Sequence, residues 1–211
     1  MLKTRIGIIA VIAMMALLGA AGVSASTIYT SRAAWTAQVS GITTEDFNAL
    51  SGNEYQTLTL GNVTFDVPGY PDSSALWVSC PSCYNPPFSI ALVGNHWLTT
   101  VRGMFATPVA AVGADVANLG VNDTIAIDVD INGTWYQWNV AYTYPNAFFW
   151  GIVAGQGETI DGITFTPTTN NWVGIDNFSY GGTASPEPGT IALLGSGILG
   201  LAGILRRKLM L

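Results

Sequence analysis

Cys80 and Cys83 enclose Pro81 and Ser82, a spacing that can close a local disulfide, run thiol redox chemistry or supply two metal ligands. Redox use needs a helix N-terminus to stabilise the thiolate, and Pro86 and Pro87 follow too closely for a helix. A disulfide between Cys80 and Cys83 is therefore expected in an oxidising compartment. Zinc would require further ligands, and His96 is the single histidine. The run Asp128-Val129-Asp130-Ile131-Asn132-Gly133 opens like an EF-hand loop, but its twelfth position, where a bidentate Glu belongs, is Asn139. No Gly-x-Ser-x-Gly elbow lies near His96. A retaining glycosidase needs two carboxylates about 5 Å apart, and sequence alone does not pair acids such as Glu54, Glu158 and Asp161. No enzyme is expected, and no cofactor beyond a structural metal ion.

Binding chemistry has more to work with. Trp135, Tyr136, Trp138, Tyr142, Tyr144, Phe148, Phe149 and Trp150 form the densest aromatic stretch, and exposed rings of this kind stack on sugars. On a strand Trp135 shares its face with Gln137 and Asn139, while Tyr136 and Trp138 share the other. The polar neighbours make Trp135, Gln137 and Asn139 the candidate ligand-binding set.

Both ends of the 211-residue chain carry targeting patterns. Lys3 and Arg5 precede an apolar run that closes in Val23-Ser24-Ala25, so a signal peptide spanning residues 1–25 is expected, with signal peptidase cutting between Ala25 and Ser26. At the other end Pro186-Glu187-Pro188 is followed by an uncharged run from Gly189 to Leu205 and then by Arg206, Arg207 and Lys208. That run is at the short end of what spans a bilayer as one helix, with the basic cluster on the cytoplasmic side. The two prolines keep Glu187 extended and open to a protease just outside the membrane. Glycines 195, 197, 200 and 203 let another helix approach the span.

This order of proline-flanked glutamate, Gly-rich span and basic cluster resembles the PEP-CTERM sorting signal, over about 26 residues. The resemblance implies handling by an exosortase in a Gram-negative bacterium that makes exopolysaccharide. The chain would be membrane-anchored until sorted, then reach the cell surface or the extracellular matrix. Residues 26–182 would be the exported domain, and residues 183–211 the linker and sorting segment.

Outside the two ends only Arg32 and Arg102 remain as strong bases against twelve acids, a net charge of about −10. Such a domain repels phosphate backbones, which excludes nucleic acid as a partner, and attracts divalent cations. Its short β-branched and aromatic runs, punctuated by Gly, Pro, Asn and Thr, predict an all-β fold: about nine strands in a jelly-roll-like antiparallel sandwich. Thr124–Ile131 and Thr134–Tyr142 around Asn132-Gly133 are the clearest hairpin. Further strands are expected over 57–67, 75–79, 88–93, 104–116, 147–153, 159–166 and 173–180. One short helix, from Arg32 to Val39 with Ser31 as its cap, is the exception. Thr44-Glu45-Asp46-Phe47-Asn48 and Gly174-Ile175-Asp176-Asn177-Phe178 resemble pieces of other secreted domains that carry such a tail. Asp46 and Asp176 also resemble the calcium-bridged first and last strands of carbohydrate-binding jelly rolls, which implies a structural Ca2+ there. The expected role is structural, at the surface or in an exopolysaccharide biofilm matrix, with a glycan-binding module as the alternative.

Overall fold

The structure is a computed structural model that describes residues 25–50, 52–70, 75–78, 91–94, 99–118, 122–143, 146–169, 172–183 and 197. The expected signal segment before residue 25, the expected Cys80–Cys83 bridge, His96, Pro186-Glu187-Pro188 and Arg206-Arg207-Lys208 lie outside the described residues.

Alternation dictates the central hairpin. Ile125, Ile127 and Val129 are fully buried and Ile131 nearly so, which puts one face of β10 (Asp123–Ile131) in the core. Asn132 and Gly133 take φ of 53° and 78°, the left-handed pair a two-residue turn needs, and β11 (Thr134–Tyr142) returns antiparallel in unbroken register.

The described strands form two antiparallel sheets. In one, β11 and β10 are followed by β13 (Ile160–Pro167), β8 (Val101–Val109), β5 (Val63–Asp66) and β4 (Thr57–Leu60). The other runs β1 (Thr27–Tyr29), β12 (Phe148–Val153), β9 (Ala111–Asn118), β14 (Val173–Thr183), β7 (Leu92–Gly94), β6 (Leu76–Val78) and β3 (Glu54–Tyr55). Beside that path β2 (Val39–Glu45) pairs with β14. The inner faces share one core that includes Phe65, Phe165, Ile163, Trp150, Ile152 and Phe178.

Several elements depart from their expected spans. The segment 57–67 is a hairpin, β4 and β5, because Gly61 turns at φ 51°. The segment 104–116 breaks at Ala110, where the chain leaves one sheet for the other: Val109 pairs with Ile160 in the first, Ala111 with Val153 in the second. β1, β2 and β3 were not expected. The helix α1 (Arg32–Thr36) is shorter than expected, since Val39 already starts β2. Along β14 the core-facing set changes parity, from Val173 and Ile175 to Phe178 and Tyr180, and the register against β9 shifts between Asp176 and Ser179. A bulge with Asn177 at φ 47° inserts the extra residue.

Helix α1 lies on the outer face of the larger sheet. Ser31 Oγ accepts from the Ala34 N–H at 3.4 Å, and the buried Trp35 donates its indole N–H to the Ile152 carbonyl at 3.2 Å. Trp35 and Phe149, 5.9 Å between ring centroids, form a second small core with Val39 and Ala111. Gly151 makes room for it: a Cβ there would stand 2.8 Å from both Trp35 Cδ1 and Phe149 Cζ. Gly151→Ala is therefore expected to cost about 1–3 kcal/mol by overpacking, read as a lower melting temperature. A melting temperature equal to the parent's would contradict this packing.

Candidate functional site

Because Ile125, Ile127 and Val129 face inward, Ala126, Asp128 and Asp130 occupy the outer face of the smaller sheet, and strand register carries that face across it. One cross-strand row reads Trp135, Asp130, Gly162, Met104, Thr64, Thr59; the next reads Gln137, Asp128, Thr164, Arg102, Asp66, Thr57. Asn139 stands opposite Ala126 in a third row. The structure thus gathers Trp135, Gln137 and Asn139 on one open face, with Trp135 44% exposed. Tyr136 and Trp138 turn the other way, and Trp138 packs on Trp150 with centroids 5.7 Å apart.

Most polar groups of this face bond one another. The Thr164 hydroxyl donates to Asp128 Oδ2 at 3.0 Å, and Arg102 forks onto Asp66 through Nε at 2.8 Å and Nη2 at 2.5 Å. Hydrogen bonding to Asp66 raises the Arg102 pKa further. Asp130 differs. Alternation along β10 puts it on the face opposite the core, yet it is 8% exposed and its Oδ1 has no hydrogen-bond partner. Burial first, then the charge of Asp161, raises its pKa, against the Gly133 N–H, which lowers it. A buried acceptor without a donor is costly. Beside an exposed indole, it is suited to a ligand hydroxyl. At the far end of the second row a cleft of about 430 Å3 is lined by Thr57, Asp66, Arg102 and the 41% exposed Tyr70. Sequence patterning named Asp130 only as part of an EF-hand-like run and missed both its burial and this cleft, since strand alternation carries no cross-sheet distances.

Asp46 and Asp176 lie near enough to couple electrostatically, beside the β14 bulge. Asp46 is exposed and accepts from the Asn48 N–H at 3.1 Å, which lowers its pKa. Burial pushes Asp176 up to about 6; the Asn177 N–H opposes this, the charges of Asp115 and Asp46 add to it, and Arg32 reduces it. Arg32 bridges Asp115 at 3.1 Å and donates to Ser179 Oγ and the Asn177 carbonyl, each at 3.0 Å. Among the described residues no three His, Cys, Asp or Glu side chains gather as a metal-holding group.

At the first described residues Ala25 is exposed, and the Ser26 hydroxyl donates to Glu158 Oε2 at 2.6 Å. The Gly155 N–H donates to that same oxygen at 2.8 Å.

Residues 186–208 match the family described as PEP-CTERM protein-sorting motif. The chain carries this sorting motif. PEP-CTERM tails mark secreted, exosortase-processed proteins of the surface or extracellular space, and here the match takes in Pro186-Glu187-Pro188 and Arg206-Arg207-Lys208. No curated protein sequence matches the chain. The solved structure of TmCBM61 in complex with beta-1,4-galactotriose is similar over 64% of this chain and 94% of its own, at 16% identity and a TM-score of 0.40.

The Asp176 shift has a sign. The folded protein holds this proton more tightly than the unfolded chain, whose carboxyl titrates near 3.8, so ionisation works against folding. Stability tied to Asp176 is complete below about pH 4 and falls as pH rises to about 6. In calcium-free buffer Asp176→Asn is expected to raise the melting temperature by about 2 °C at pH 7, the group being half-exposed and screened, with no gain at pH 4. An equal shift at both pH values would contradict the linkage.

Proposed function

We propose that this chain is a structural and interaction protein of a Gram-negative surface or exopolysaccharide matrix, delivered by signal peptidase and exosortase, whose jelly-roll-like sandwich works by holding and not by catalysis. The observation that carries the reading is the sorting motif at residues 186–208. The acids of the domain support it, because most are bound into the fold. Asp66 pairs with Arg102 and Asp115 with Arg32. Burial pushes the Asp123 carboxyl up, but the N–H groups of Thr169 and Thr124 and the Thr168 hydroxyl outweigh it and hold the pKa low. In an exosortase-bearing host, mass spectrometry of the mature protein is expected to find a C-terminus upstream of Arg206, and Glu187→Ala to leave full-length chain in the membrane. A mature parent protein retaining Arg206 to Leu211 would overturn the sorting part.

Binding of matrix glycan is the second reading, favoured by the unpartnered Asp130 Oδ1 beside exposed Trp135. The indole offers a ring platform, and Asp130 with Gln137 offers groups for hydroxyls. A domain of net charge near −10 selects neutral over acidic glycan. On an array of neutral and uronic-acid oligosaccharides, neutral binders are expected, weakened about tenfold by Trp135→Ala, a loss of about 1.4 kcal/mol. Silence of the parent protein across the array would leave only the structural role.

A further inference from the structure

We infer that β11 is a self-association edge, along which two copies of the chain pair antiparallel and join their smaller sheets. A sheet edge offers unpaired N–H and C=O groups, and proteins blunt such edges with short strands, charges, prolines or bulges. The other edges here follow that rule: β1 has three residues, β3 two and β4 four. β2 is longer, but it carries Glu45, and its register on β14 shifts between Tyr180 and Gly182. β11 uses none of these devices. It has nine residues, Thr-Trp-Tyr-Gln-Trp-Asn-Val-Ala-Tyr, without charge, proline or glycine, in unbroken register against β10 and with no other pairing partner among the described residues.

A second copy fits this edge for two reasons. The core-facing row of β11 is left incompletely covered at the lip of the sandwich: Tyr136 is 49% exposed, and Trp138 and Val140 are half-buried. In a domain of net charge near −10, a strand without charged side chains is also where two copies can approach with least repulsion. One antiparallel register pairs all nine residues. Its two-fold axis passes through Trp138, placing Tyr136 opposite Val140 of the second copy and Gln137 opposite Asn139. Rows that face the core in one copy then meet core-facing rows in the other and cover each other. The contact is isologous, so it closes at a dimer and leaves only the blunted edges. The outer faces, each with its Trp135, become one continuous surface.

The test is sedimentation velocity of the full chain in a non-ionic detergent, with each variant's melting temperature as a folding control. The parent is expected to form a dimer. Gln137→Lys with Asn139→Lys sets like charges opposite each other twice and is expected to weaken it about tenfold, whereas Gln137→Lys with Asn139→Glu sets opposite charges together and restores it. A parent that stays monomeric overturns the proposal, as would result from the chain's own tail covering the edge. A dimer indifferent to both double variants overturns it as well, and assigns association elsewhere, for instance to the Gly-rich span.

Discussion

Phe178 meets Phe65 edge-on, 5.0 Å between ring centroids, and the joining of the two sheets rests on this contact. Phe65 comes from β5 and Phe178 from β14, so the pair links one sheet to the other at the middle of the core. Phe47 extends the cluster on one side, 5.7 Å from Phe65, while Phe105 and Tyr180 extend it on the other, 5.4 Å from each other. The Tyr180 hydroxyl accepts from the Asn62 N–H at 3.2 Å and donates to Glu45 at 3.4 Å, tying the β4–β5 turn to the end of β2. For Phe178 to face inward, β14 must change parity after Ile175. The bulge at Asp176 and Asn177 does this, and so the polar group beside Arg32 exists where it does because of an aromatic demand on the opposite face.

The two arginines of the domain show the same economy. Arg32 anchors α1 through Asp115, Ser179 and the Asn177 carbonyl, with its guanidinium 4.6 Å from the Phe149 ring centroid. Arg102 joins β8 to β5 through Asp66. With each base committed to one acid, the other acids have no cation of the domain left to pair with, and the field around the domain is negative.

Local chemistry made some of this legible in sequence and left the rest hidden. The β10–β11 hairpin was readable because alternation and Asn-Gly turn geometry act within a few residues. Ser31 announced α1 for the same reason, and the tail was readable because its order of segments is a pattern in itself. β1 and β2 pair with strands more than a hundred residues away, and neither run alternates cleanly, since most of β2 is exposed. The corner at Ala110 falls inside Val109-Ala110-Ala111-Val112, four apolar residues that do not mark it, although Pro108 stands just before them. In β14 a clue was present: Val173-x-Ile175 followed by Phe178-x-Tyr180 breaks period two by one residue. The burial of Asp130 was not legible because alternation says which face a side chain takes, not how crowded that face becomes.

The bond between Ser26 and Glu158 spans 132 residues of chain. Ala25 stands only two residues before β1, whose Thr27 to Tyr29 pair with Val153 to Gly151. A protease that cuts after Ala25 needs those flanking residues extended in its own cleft, which the paired strand cannot supply. If the leader expected from the sequence is cut after Ala25, that cut would have to precede the docking of β1 on β12. The first strand would then set a limit on that cut, because its pairing to β12 ties the N-terminal side of the domain to a segment more than a hundred residues away.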